Sequence, residues 1–244
     1  MIDSNFIKNT AINISNVSRE TLKELDEYGK QIISKNKDIN LISSSTEKSI
    51  NIRHILDSAQ TIDFINNIKL MTCTDLGSGA GLPGIVLAIL MKPKKPQFKV
   101  ILYEKSFHKS KFLTDMSKKF NLNTEVYQKN IFDEKNLSTD VIICRAFKPL
   151  PIIFEIAQKN FKSFKYIIIF LGKSGKKILN EALKIWKFDY EEKKSLTNDE
   201  SIVIKISNLK KKMGKKIISN INQKVEAGEK TSLNNLAALR KKNG

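Results

Sequence analysis

The sequence predicts an α/β fold organised around a doubly wound sheet, on three observations. Between residues 70 and 206, short apolar runs alternate with stretches whose apolar residues recur at helical spacing. The first run leads straight into a turn with glycine at 77, 79 and 81, and that turn leads into a helix. The second run ends on an acid, Glu104, at the carboxyl edge of the sheet where open α/β folds bind their ligands.

Taken in order, residues 17–35 place Leu22, Leu25, Ile32 and Ile33 near one helical face. A second helical stretch, from about Ser49, brings Ile52, Ile55, Leu56, Ala59 and Ile62 together, with Arg53, His54, Asp57 and Ser58 on the opposite side. These form an N-terminal helical layer, residues 1–66, packed on a domain of residues 67–207. In that domain residues 70–74 read as a buried strand and residues 85–90 as a helix. Pro83 suits the first turn of that helix, since its missing N–H would be unpaired there anyway. A strand over 100–104 precedes a helix that turns Phe112, Leu113, Met116 and Phe120 inward. Strands follow near 124–127 and 140–144, and Pro149 and Pro151 open the next helix. Residues 166–171 read as a central strand, 175–187 as a helix, and 201–206 as the strand that closes the sheet.

The net charge of +18 points to a polyanionic partner, most simply a nucleic acid. Lys, Asn and Ile are all abundant, however, as an adenine- and thymine-rich genome would also produce. Cys73 and Cys144 sit in separate apolar runs and read as buried small residues in a reducing compartment. The two histidines, His54 and His108, have no metal-ligand spacing. The apolar run over 85–91 is too short to cross a bilayer, and the first residues carry no basic-then-apolar signal. A cytoplasmic protein without a membrane partner is expected.

Which ligand the glycine turn serves depends on its neighbours. Gly79-Ala80-Gly81-Leu82-Pro83-Gly84 satisfies the dinucleotide pattern, and Glu104 lies where an NAD enzyme keeps its ribose-binding acid. Yet Gly77 already opens the turn right after Asp75-Leu76, and Pro83 removes a donor near where a pyrophosphate would need one. An acid ahead of G-x-G-x-G and a second acid ending the next strand resembles the class I S-adenosylmethionine-dependent methyltransferases, a Rossmann-like fold. Two readings stand against it: an NAD-dependent oxidoreductase, and a non-catalytic RNA-binding protein that would need no such turn.

Four blocks occur in order: Asn40-Leu41-Ile42, Arg53-His54-Ile55-Leu56-Asp57-Ser58, residues 75–84, and Arg145-Ala146-Phe147. Over roughly residues 20–206 the chain resembles the small-subunit ribosomal RNA guanine-N(7) methyltransferase G family, also called glucose-inhibited division protein B. The resemblance implies methyl transfer from S-adenosylmethionine to nitrogen 7 of a guanine in 16S rRNA, free or in an assembling small subunit. It also implies an antiparallel last strand. N7 has an exposed lone pair and no proton to lose, so neither a catalytic base nor a metal is expected. Alignment of the reactants would carry the rate.

Cofactor binding is expected at Gly77, Gly79, Gly81 and Leu82, with Glu104 on the ribose diol. Asp75 is expected to serve the cofactor indirectly, with capping the helix or ordering the turn as the competing reading. The resemblance places the adenine near Asn130, Ile131 and Phe132, although Ile131 and Phe132 read equally as core. Its pattern has an acid near 132, so here Asp133 or backbone groups would hold the adenine amino group. Arg145 ends an apolar strand, where an unpartnered charge is costly. A methionine carboxylate or an RNA phosphate would partner it, and the resemblance assigns it to the cofactor. Arg53, His54, Phe147 and Lys148 are candidates for the RNA substrate.

From Asn208 onward the chain holds ten Lys/Arg against two Glu, and residues 208–244 read as a basic tail. Residues 216–224 resemble the start of ParA-type partitioning ATPases. Where a P-loop would follow, the chain has Val225-Glu226-Ala227-Gly228-Glu229-Lys230-Thr231, with Glu229 in place of the phosphate-binding lysine. A degenerate remnant that binds no nucleoside triphosphate is expected.

Overall fold

The computed structural model describes residues 17–65 and 69–212. The expectation of a degenerate nucleotide-binding remnant falls on residues 213–244, outside the described residues.

Helix α1 (Arg19–Asn36) starts where the Ser18 side chain accepts from the Thr21 amide, and it buries Leu22, Leu25, Tyr28 and Ile32 on one stripe. A 3-10 turn (Ser44–Ser49) then leads into a π-helical turn (Asn51–Leu56) and a short α turn (Asp57–Ala59). The second helical stretch was expected to carry Ile52 inward, but Ile52 is exposed. The wider π winding moves it off the face that Ile55, Leu56 and Ala59 share. Ser58, expected on the outer side, is fully buried.

The main sheet contains β1 (Thr72–Leu76), β2 (Lys99–Tyr103), β3 (Thr124–Tyr127), β5 (Val141–Cys144), β7 (Tyr166–Leu171), β8 (Trp186–Lys194) and β9 (Ile202–Lys211). Its order is β3-β2-β1-β5-β7-β9-β8. The strands from β3 to β7 run parallel, and β9 runs antiparallel to both β7 and β8. A small separate pair joins β4 (Leu137–Ser138) to β6 (Phe161–Ser163). Because the chain leaves β1 first toward β2 and β3 and later returns to place β5 on the other side, the order reverses beside β1. That is where open α/β sheets bind ligands.

Helices α2 (Gly84–Met91) and α3 (Phe107–Lys119) join α1 and the π turn in a core on one face. Helices α4 (Leu150–Asn160) and α5 (Gly175–Ile185) cover the other. Every residue of α2 is buried. A helix apolar all round needs cover on both sides, and here the sheet supplies one side and the N-terminal layer the other.

Two boundaries differ from expectation. The helix read as 175–187 stops at Ile185, and Trp186 begins β8, an edge strand not anticipated from the sequence. Its inward Trp186 and Phe188 alternate with exposed residues, and its charged second half fits an edge strand that must resist further pairing. The strand expected to close the sheet, β9, therefore lies inside it and runs on to Lys211, past the boundary drawn at 207.

Candidate functional site

The turn between β1 and α2 is held from several sides. Gly77, Gly79 and Gly81 all have positive φ, at 67°, 54° and 74°, a region that residues with a Cβ enter at a cost. Asp75, only 1% exposed, accepts the Gly84 amide at 3.0 Å and so caps α2 from the strand beneath. Burial pushes its carboxyl up to about 7. Ser78 donates its amide to the Tyr103 carbonyl at 3.0 Å, and Gly81 donates to the Ser78 carbonyl at 2.7 Å. From α1, the fully buried Tyr28 hydroxyl donates to the Ala80 carbonyl.

Glu104 completes the turn. Its Oε2 accepts the Gly79 amide at 2.9 Å and its Oε1 accepts the Ser106 amide at 2.8 Å. Each oxygen retains a lone pair for a further donor. The amides of Ser78, Gly79, Gly81 and Gly84 are thus all engaged within the protein, and a carboxylate stands against the first glycine of the dinucleotide pattern. A pyrophosphate would meet a negative charge there instead of open amides.

A cleft of about 410 Å³ opens beside this turn, lined by Gly77, Glu104, Asn130, Ile131, Phe132 and Phe147 among others. Asn130 Oδ1 accepts the Phe132 amide at 3.4 Å, Ile131 is buried, and Phe132 is exposed. The Glu104 carboxylate, with lone pairs free, thus shares this cleft with the apolar side chains of Ile131, Phe132 and Phe147. The Phe147 ring packs on Gly77, where a Cβ would overlap it, and lies 6.3 Å from the Phe132 ring. Lys105 and Lys148 stand at the rim.

Other expected residues lie elsewhere. Leu82 is 7% exposed and belongs to the core, and Gly81 is wedged among Tyr28, Ile85 and Leu113. Both shape the turn from beneath and do not line the cleft. Arg145 does not line it either. It lies in a second cleft of about 330 Å³ with Arg53, Asp57, Ser195, Thr197 and Asn198, which meets the first at Ala146.

The charge partner expected for Arg145 was a ligand anion; within the chain its guanidinium meets Asp57. Its Nη1 pairs with Asp57 Oδ2 at 3.0 Å and reaches the Arg53 and His54 carbonyls at 3.3 and 3.5 Å, while its Nη2 meets His54 Nδ1. Asp57 thus pairs across the fold and not with Arg53 one helical turn away. Burial first, then Arg145 and Arg53, lower the His54 pKa to about 4. The neutral ring takes a proton on Nε2, toward Thr46 Oγ1 at 2.8 Å, and accepts on Nδ1.

Asp57 Oδ1 also accepts from Gln60 Nε2 at 2.8 Å, Thr197 Oγ1 at 2.8 Å and Ser195 Oγ at 3.1 Å. This ties the N-terminal layer to the turn between β8 and β9. Tyr28, Gln60, Ser195 and Thr197 were not anticipated. Tyr28 shares the α1 stripe of Leu22, Leu25 and Ile32, a legible signal of burial, but nothing local marks Ser195 or Thr197.

The sheet order and the acid-bridged glycine turn define a class I S-adenosylmethionine-dependent methyltransferase. A family model for rRNA small subunit methyltransferase G matches residues 21–203, and the chain belongs to that family. A ribosomal RNA small subunit methyltransferase G from Pelagibacter ubique (strain HTCC1062) is 49% identical over 199 residues, covering 81% of this chain and 93% of that protein. Its counterpart from Rickettsia akari (strain Hartford) is 36% identical over 195 residues, covering 80% and 98%. Among solved structures, a SAM-dependent methyltransferase from Aquifex aeolicus aligns at 18% identity with a TM-score of 0.49, covering 72% of this chain and 97% of that one.

Proposed function

We propose that the protein methylates nitrogen 7 of a guanine in 16S rRNA, free or in an assembling small subunit, in the cytoplasm. Among the described residues no helix is long and apolar enough to cross a membrane. The observation that carries the reading is the Glu104 carboxylate bonded to the Gly79 amide at the floor of the nucleoside-sized cleft, in a chain of this family. S-adenosylmethionine, when bound, supplies an electrophilic methyl group on a sulfonium. Glu104, Asn130, Ile131 and Phe132 hold its nucleoside, and the backbone at Gly77 meets the methionine end.

The remaining work of the chain is positioning. Guanine N7 carries an in-plane lone pair and no proton, so no side chain has to remove one. Holding that lone pair in line with the methyl group lowers the barrier chiefly through proximity and orientation. Lys105 and Lys148 at the rim, and the net charge of +18, draw in and neutralise rRNA phosphates. Side chains reach base edges best in unpaired RNA, which favours a guanine in a loop or a remodelled region. The test maps N7-methylguanine in 16S rRNA from cells with and without the gene. Loss of one such modification, restored by the gene, is the expected result, and an unchanged map overturns the reading. Equilibrium binding of S-adenosylhomocysteine but not NAD is expected alongside.

A further inference from the structure

The loop between β8 and β9 presents Leu196 to solvent, 44% exposed, on a turn that the N-terminal layer holds fixed. Gln60, itself buried, accepts the Leu196 amide on Oε1 at 3.1 Å and donates from Nε2 to Ser195 Oγ at 3.4 Å. Asp57 Oδ1 accepts from Ser195 Oγ on one side of the leucine and from Thr197 Oγ1 on the other. The Thr197 amide closes the turn on Ser195 Oγ at 3.2 Å. Two side chains of another layer thus secure three consecutive residues, yet the middle side chain stays in water. A lone exposed leucine needs no explanation. One on a turn fixed in this way is preorganised for a partner.

The turn also stands close to the methyl donor. Asp57 Oδ2 pairs with Arg145 at 3.0 Å. The Arg145 guanidinium also feels the Asp75 carboxylate and the Tyr28 hydroxyl, which puts it against the glycine turn. One carboxylate therefore lies between the arginine at the cofactor site and the turn that carries Leu196. Ser195 and Thr197 line the second cleft, which meets the cofactor cleft at Ala146. Arg53 in that cleft and Lys194 beside the turn are exposed and make no ion pair among the described residues. The acids of the loop, Asp199 and Glu200, come after the turn, and Glu200 is paired with Lys173 at 2.7 Å.

A guanine stacked in A-form RNA turns N7 into a deep, narrow major groove that side chains do not reach. For a donor held in a cleft to meet that lone pair, the base has to leave its stack. Unstacking costs free energy, which an apolar side chain inserted into the vacated place offsets. Such a wedge needs a rigid support, an apolar tip, cations for the adjacent phosphates and a position next to the reacting atom. Leu196 meets all four conditions.

We propose that Leu196 is an apolar wedge for the rRNA substrate, an inference that rests on the function given above. It fills the place in the base stack that the target guanine leaves, while Arg53 and Lys194 meet the flanking phosphates. Asp57 joins the two ends of the site, since the carboxylate that fixes the wedge also fixes Arg145 against the glycine turn.

The test uses 16S rRNA in which the nucleotide on each side of the target guanine is replaced in turn by 2-aminopurine, whose fluorescence is quenched in a stack and rises on unstacking. Wild type should raise the fluorescence at one of the two positions. Leu196→Met keeps an apolar tip of similar length and should do the same, whereas Leu196→Ser should give a smaller rise. Burying the 44% of Leu196 that is exposed corresponds to roughly 3–10-fold. On unmodified rRNA, kcat/KM should fall by about that factor in Leu196→Ser and by less than about 2-fold in Leu196→Met. The side chain lies outside the core, so S-adenosylhomocysteine affinity and the urea midpoint should keep their wild-type values in both variants. An equal fluorescence rise in Leu196→Ser overturns the wedge, as does a fall in S-adenosylhomocysteine affinity that matches the fall in methyl transfer. So does a wild-type enzyme that methylates the guanine without unstacking either neighbour. In each of these cases the functional reading stands. A wild type that leaves guanine N7 unmodified overturns that reading and this proposal with it.

Discussion

Gly81 and Gly79 are two residues apart in one turn, both at positive φ, yet the structure makes them unequal. An ideal Cβ on Gly81 would lie 2.5 Å from Ile85 Cγ1, 2.5 Å from the Tyr28 hydroxyl and 2.9 Å from Leu113 Cδ2. On Gly79 the nearest atom would be the Gly77 carbonyl oxygen at 3.8 Å. The left-handed backbone costs either alanine about 1–2 kcal/mol. At Gly81 the methyl group must also displace the core, for about 1–3 kcal/mol more. Gly81→Ala should therefore destabilise the fold by roughly 2–5 kcal/mol and Gly79→Ala by roughly 1–2 kcal/mol. Urea unfolding followed by the fluorescence of Trp186, the single tryptophan and a fully buried one, measures both through the shift in midpoint. Equal losses would refute the reasoning, because they would mean that backbone strain alone decides. So would a Gly81→Ala protein as stable as wild type.

Four further outcomes follow from the same contacts. Gly79→Asp places a second carboxylate beside Glu104 at the cleft floor, and should abolish S-adenosylhomocysteine binding while leaving most rRNA affinity. Parallel loss of both in a folded protein would contradict that separation. Asp57→Ala removes the counter-ion of Arg145 and the anchor of Ser195 and Thr197, and should cost on the order of 3 kcal/mol in the same urea assay; a loss below about 1 kcal/mol would show the pair to be as weak as a surface one. His54 has a folded pKa of about 4 against an ordinary 6.5, so the unfolded chain takes up its proton first. Its contribution is full above pH 6.5 and is lost as pH falls toward 4, and His54→Gln should flatten thermal stability across that window, an unchanged profile refuting the assignment. Tyr28→Phe deletes the hydroxyl that donates to Ala80 and should cost about 1–3 kcal/mol and weaken S-adenosylhomocysteine binding by loosening the turn, as calorimetry would report.

Much of this was legible locally. The glycine turn, the acid at the end of β2 and the alternation of strands with helices are short-range patterns, and each fell where expected. The missed strand β8 illustrates the limit. Trp186, Phe188 and Tyr190 do alternate, but only pairing with β9 turns that alternation into a strand, and the charged residues after them look like solvated surface until the edge of the sheet is located. Ile52 failed for a related reason. Its spacing fits an ordinary helix, and the π turn that moves it outward is fixed by packing and by the Arg145 contacts to the Arg53 and His54 carbonyls.

The sequence by itself determined the fold class, the glycine turn and the need for a partner at Arg145, because backbone conformation and the cost of a buried charge are properties of a residue and its near neighbours. It could not say which anion meets that arginine. Asp57 lies 88 residues away in the chain, and Thr197, which shares the same carboxylate, lies 140 residues from it. Only the folded sheet brings the π turn, the end of β5 and the β8–β9 turn to one place. There a half-buried carboxylate gains four donors at once, one of them Arg145.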